Sequence, residues 1–244
     1  MDKKIALITG ANKGIGLETA VQLAQQGIKV IATARSVERG QAAIKPLQEQ
    51  GLDVEFFQLD VNDDAQRQAV IDHVRDTYGK LDILVNNAGI EADGGWMGNS
   101  TTTVSQEVLR KTFDTNFFSV VALTQGLLPL IEKSDAGRIV NVSSVMGSLT
   151  IHSNPEAEIY GVKPFAYNAS KTALNMFTVH LAQALAETPI KVNSAHPGWI
   201  KTDLGTEYAP LDVTVGAKTS VALATLGADG PNGGYFHLED TLPW

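Results

Sequence analysis

The sequence predicts an α/β fold: a single domain built on a doubly wound, mainly parallel sheet of about seven strands, with helices on both faces. Three observations predict it. Apolar runs of strand length alternate with helical segments along all 244 residues. The runs are rich in apolar residues, as strands covered on both faces are. A glycine-rich turn joins the first run to the first helix. Right-handed crossovers turn such an alternation into a Rossmann-type sheet, and ligands then bind outside the carboxyl ends of its strands.

The elements follow in order. Residues 4–9, "KIALIT", read as a buried strand, and 14–27 as a helix closed by Gly27. Residues 29–33 form the second strand; a helix follows Ser36, and Pro46 is expected to bend or end it. Residues 54–58 form the third strand, after which Asn62 caps a helix over 63–79. The fourth strand spans 81–87, and a glycine-rich loop covers 91–101. One long helical stretch occupies about 105–131. The fifth strand and its exit cover 137–144; a second long helix runs from near Phe165 to about Thr188. The sixth strand and its exit cover 190–199, a helix covers about 213–226, and a short strand lies near 234–237. No repeat, low-complexity tract or linker divides residues 1–244.

Composition excludes several functions. Nineteen basic and 27 acidic residues give a net charge of −8, which argues against a nucleic-acid or anionic-membrane surface. There is no cysteine, so no disulfide or thiolate chemistry, in keeping with a reducing, cytoplasmic setting. The N-terminal apolar run is too short for a signal peptide, and no 18 apolar residues run together. The five histidines show no metal-ligand spacing, and no metal is expected.

Two local patterns carry chemistry. "TGANKGIG" (9–16) places Gly10, Gly14 and Gly16 between strand and helix, with Asn12, Lys13 and Ile15 among them. Glycines there permit a tight turn and close approach of a pyrophosphate to backbone N–H groups at the helix N-terminus. A site for NAD would carry an acid near the end of the second strand. That end reads "IATARS", so Arg35, with Lys13, predicts preference for the 2′-phosphate of NADP(H); Glu38 is the acid that could reverse this. "YNASK" sets Tyr167 four residues before Lys171, one helical turn apart. The ammonium is expected to lower the tyrosine pKa and fit it for proton transfer.

Through these motifs the chain resembles the short-chain dehydrogenase/reductase family, nearly end to end and in order. "TGANKGIG" is similar to that family's cofactor turn. Asp60, followed by Val61, resembles its adenine contact. "NNAG" matches a segment at the adenosine ribose, with Asn87 the direct contact and Ala88 and Gly89 beside it. Asn116 in "DTNFF" matches an asparagine that holds a proton-relay water, and Ser144 in "NVSS" matches the serine that orients the substrate carbonyl. The resemblance also implies that Tyr167 is the acid/base and that Lys171 binds the nicotinamide ribose. In "HPGWIKT", Pro197, Gly198, Ile200 and Thr202 should lie along the nicotinamide. The NADPH-dependent carbonyl reductases are the most similar subgroup. They imply reversible reduction of a ketone or aldehyde, with a small-molecule carbonyl compound or alcohol as substrate. Ser144 and Tyr167 stand 23 positions apart, wider than the usual family spacing, and the insert (147–166) favours a monomer over a homo-oligomer. Candidate pocket residues are Trp96, Met97, Val145, Met146, Tyr160, Trp199 and Leu204. Two alternatives compete: oxidation of an alcohol, and a non-catalytic NADP(H) sensor, which would normally lose the tyrosine or lysine. A nucleotide-sugar epimerase would need a larger C-terminal region than the 42 residues after Thr202.

Overall fold

The computed structural model describes residues 3–244. Among the described residues, eight strands form one sheet: β1 (Ile5–Ile8), β2 (Lys29–Ala34), β3 (Val54–Gln58), β4 (Ile83–Asn86), β5 (Arg138–Val142), β6 (Lys191–Ala195), β7 (Tyr235–His237) and β8 (Asp240–Thr241). Their order is β3-β2-β1-β4-β5-β6-β7-β8. All neighbours are parallel except β8, a two-residue strand folded back on β7, which raises the strand number above the expected seven. The helices are α1 (Gly14–Gln25), α2 (Val37–Glu49), α3 (Asp64–Tyr78), α4 (Gln106–Phe113), α5 (Ser119–Ile131), α6 (Leu149–His152), α7 (Phe165–Ala184) and α8 (Val213–Ala224).

Strand order reverses between β1 and β4. Chain leaving β1 and chain leaving β4 therefore diverge to opposite faces and open a crevice there. One face is packed by residues such as Leu23, Val30, Val85 and Val221, the other by Leu7, Leu84, Leu127 and Val192. Every residue of β1, β4 and β5 is buried; β1 is apolar throughout, while Asn86, Arg138 and Asn141 are buried with hydrogen-bond partners.

Local expectations needed four corrections. Pro46 lies inside α2, which continues to Glu49; burial of Ile44 and Leu47 on either side outweighs one lost backbone hydrogen bond. Asp63, not Asn62, caps α3 and accepts from the Gln66 N–H, while the Asn62 amide donates to Thr115 Oγ1. The stretch expected as one helix over 105–131 is broken by a π-helical segment, Asp114–Phe118. The long helix from Phe165 stops at Ala184.

Arg138 anchors the sheet edge opposite the crevice. It is 2% exposed and donates to the carbonyls of Gly137, Pro189, Leu226 and Gly227. Arg138→Ala removes those donors and opens a void. A loss of about 3 kcal/mol is expected, read as a lower denaturant midpoint at unchanged m-value.

Candidate active site

The glycine turn is built as its residues require. Gly10 and Gly14 have φ of +66° and +57°, a region costly for residues with a Cβ. A Cβ on Gly16 would lie 2.4 Å from Asn87 Nδ2 and 2.5 Å from the Gly10 carbonyl oxygen. The turn is tied to the end of β4: Thr9 Oγ1 accepts from the Asn87 and Ala88 N–H groups, and Asn87 Nδ2 donates to the Thr9 and Gly10 carbonyls. Lys13 starts α1 without a side-chain cap, leaving the first N–H groups of the helix free to meet an anion.

A cleft of about 660 Å³ opens over this turn, lined by Gly10, Asn12, Lys13, Gly14, Ile15, Gly16, Arg35, Asp60, Val61, Asn87, Ala88, Gly89 and Thr202. Thirteen positions expected at a dinucleotide thus share one crevice. A dinucleotide fits it: the turn offers backbone N–H groups with no side chain in the way. Arg35 is exposed at the end of β2. Lys13 is ion-paired with Asp203 across the cleft; sequence reasoning missed Asp203 because the pairing spans 190 positions. Glu38 does not line the cleft. Gly16→Ala should weaken NADPH binding at least tenfold, because Asn87 or the turn must move to admit the methyl; equilibrium titration of NADPH fluorescence measures it.

Beside the cleft lies a second cavity of about 410 Å³. Ser144, Tyr167, Pro197, Gly198 and Ile200 line it, with Trp96, Val145, Met146, Trp199 and Leu204. Ile15, Thr202 and Leu204 belong to both spaces and form their common wall. Two pocket candidates lie elsewhere. Met97 is 81% exposed, and Tyr160 turns its ring to Lys163, whose Nζ is 4.5 Å from the ring centroid. Their loop neighbours Trp96 and Ile159 face the cavity instead. Ser143, Glu158, Val162 and His196 also line it, and no local pattern singled them out.

Ser144 sits just past β5 and accepts from the Met146 N–H at 3.3 Å, so its own proton is free to be donated. Tyr167 is on the first turn of α7, its ring edge-on to Trp96 with centroids 5.5 Å apart. Pro164 precedes α7 without capping it. Asp93 supplies the cap from the 91–101 loop: its carboxylate accepts from the Ala166 N–H at 3.1 Å and the Tyr167 N–H at 2.9 Å. Asp93 is 2% exposed and was invisible in the sequence, 74 positions from Tyr167. Asp93→Ala should lower stability by about 2 kcal/mol through the lost cap. It should also reduce turnover by frustrating Tyr167 placement; thermal melts and kcat check the two parts separately.

The Tyr167 phenol is not lowered as the sequence implied. Burial pushes it up to about 12, against hydrogen bonding to Ser144 and with the Glu91 charge adding to the rise. Lys171 gives little relief, since its Nζ is 5.7 Å from the ring centroid and donates to the Val142 carbonyl at 2.8 Å. Burial brings Lys171 itself down to about 8. Asn116 lies in the π-helical segment, 1% exposed. Its Nδ2 donates to the Ile90 carbonyl and Ser170 Oγ, and its Oδ1 accepts from the Ile90 N–H. A Cβ on Gly89 would stand in van der Waals contact with both Asn116 Oδ1, at 3.4 Å, and Lys171 Nζ, at 3.5 Å, so the backbone at Gly89 lies beside both side chains. His196 Nδ1 accepts from the Val145 N–H at 3.3 Å. Burial, with the neighbouring His237, holds His196 down at about 3, hence uncharged at neutral pH. Among the described residues, no group of acids and histidines is arranged to hold a metal.

This pair of cavities defines a dinucleotide-dependent enzyme, and the comparisons say of which kind. The family model described as short chain dehydrogenase matches residues 4–211. Carbonyl reductase (NADPH) 1 of Sus scrofa is 35% identical over 279 aligned residues, spanning 99% of this chain and 94% of that protein. The NADPH-bound carbonyl reductase from chicken fatty liver superposes with a TM-score of 0.86 at 26% identity, over 100% of both chains. The carbonyl reductase Sniffer of D. melanogaster gives 0.85 at 28%, again over 100% of both. The chain belongs to the short-chain dehydrogenase/reductase family.

Proposed function

We propose that this oxidoreductase uses NADPH to reduce a bulky apolar ketone or aldehyde to an alcohol. One observation carries the reading: Ser144 and Tyr167 line an apolar cavity that shares a wall with the cleft over the glycine turn. The relatives named for carbonyl reduction with NADPH support it.

NADPH would be held by the glycine turn, with Arg35 and Lys13 toward its 2′-phosphate, and supplies the hydride. The chain's own residues do the rest. Ser144 donates to the substrate carbonyl oxygen and orients it. Tyr167, held protonated by burial, delivers its proton as negative charge develops there. Lys171, one helical turn on, holds positive charge below about pH 8 and would bind the nicotinamide ribose. Asn116 would hold a water through which a proton returns.

Arg35 is exposed and forms no ion pair among the described residues. Arg35→Glu should raise the Kd for NADPH at least tenfold and leave NADH within about twofold, a charge-assisted contact being worth about 1.5–3 kcal/mol. Equal losses for both cofactors would show that Arg35 does not read the phosphate.

No helix among the described residues is long and apolar enough to cross a membrane. The cysteine-free composition supports a cytoplasmic location. The insert before α7 supports a monomer, whereas Met176 and Val179 on α7 are exposed. Light scattering separates the two states.

A further inference from the structure

The substrate cavity is almost wholly apolar, yet its wall includes one carboxylate. Ile15, Met146, Ile159, Val162, Ile200 and Leu204 supply aliphatic surface. Trp96, Trp199 and Tyr167 add three aromatic rings, and the Trp199 indole N–H donates to the Gly205 carbonyl, which fixes that ring. Glu158 is the only formally charged side chain among the described residues lining the space. It is exposed, so it belongs to the mouth of the cavity and not to its floor.

Among the described residues, no cation neutralises Glu158. The lysine of the same segment, Lys163, is committed elsewhere: its Nζ donates to the His152 carbonyl at 3.1 Å, contacts His152 Nδ1 at 2.9 Å and lies over the Tyr160 ring. His196, on the cavity wall, carries no charge at neutral pH. The nearby Glu91 is engaged differently, accepting from the Asp93 and Gly95 N–H groups.

An unpaired carboxylate over an aromatic, apolar cavity is complementary to a lipophilic ammonium. The carboxylate attracts the charge, and the ring faces favour a cation beside them. A net charge of −8 adds a field that draws cations toward the protein. We propose that the cavity selects carbonyl compounds that carry a protonated amine, with Glu158 as their counter-ion and Trp96 and Trp199 as their apolar walls. The proposal rests on the reductase reading above and names the substrate class within it.

The test compares 3-(dimethylamino)propiophenone, protonated at pH 7, with its uncharged isostere 4-methyl-1-phenylpentan-1-one. Wild-type, Glu158→Gln and Glu158→Lys proteins are assayed with NADPH. The ratio of kcat/KM for amine over isostere should fall about three- to tenfold in Glu158→Gln and further in Glu158→Lys. Added NaCl should erode the ratio in wild type and leave it flat in Glu158→Gln. A ratio unchanged by either substitution would overturn the proposal. Binding of both ketones to the NADPH complex, followed by nucleotide fluorescence, gives the same ratio as Kd values and needs no turnover. Failure to reduce either ketone would therefore count against the reductase reading, while the Kd ratio still decides the role of Glu158.

Discussion

Tyr167→Phe should lower kcat by about three orders of magnitude, the upper part of the range for a positioned general acid. The substitution removes one oxygen and keeps the ring. Phe retains the edge-on packing against Trp96 and the backbone hydrogen bonds to Asp93. The Kd for NADPH should therefore stay within about threefold, and stability should change by no more than about 1 kcal/mol. Single-turnover kinetics with saturating NADPH isolates the chemical step. A variant that kept more than a tenth of wild-type kcat would remove Tyr167 from the role assigned to it.

Lys171→Met should cost about a hundredfold in kcat and raise the KM for NADPH as well. The variant is expected to fold. Lys171 is 4% exposed and has no carboxylate partner among the described residues, so burying its charge is itself costly, and a methionine of similar shape relieves that cost. The Val142 carbonyl loses a donor in exchange. The pH profile separates a chemical role from packing. Burial brings Lys171 to about 8 from its ordinary 10.5, so its charge is present below pH 8 and is lost as pH rises through that value. Since kcat/KM for NADPH reports the free enzyme, it should decline above about pH 8 in wild type. Tyr167, at about 12, stays protonated throughout. The decline should vanish in Lys171→Met. A decline that survived the substitution would belong to another group.

The fold was legible because its causes are local. Doubly covered strands are rich in apolar residues, and β1, β4 and β5 are buried at every residue. Gly10 and Gly14 need positive φ, and Gly16 has no room for a Cβ. What escaped depends on partners far along the chain. The side chain that caps α7 is Asp93, from a loop more than 70 positions earlier, so nothing near Pro164 announces it. Glu158 and His196 acquire meaning from the cavity they share with Ser144. The Tyr167–Lys171 spacing placed the two side chains on one helix face, yet spacing carries no information about burial. Burial reverses the direction expected for the phenol. Pro46 shows packing overriding a breaker, since Ile44 and Leu47 hold α2 on the sheet.

The central claim is that Ser144 and Tyr167 act on a carbonyl held beside NADPH. Its most direct test follows nucleotide absorbance at 340 nm for wild type and Tyr167→Phe over a panel of bulky ketones and aldehydes, with NADPH and NADH in parallel. The account predicts turnover of several bulky ketones with NADPH, much less with NADH, and its near-abolition in Tyr167→Phe with NADPH binding intact. Tight NADPH binding with no carbonyl reduced, or equal turnover in the two proteins, would contradict it.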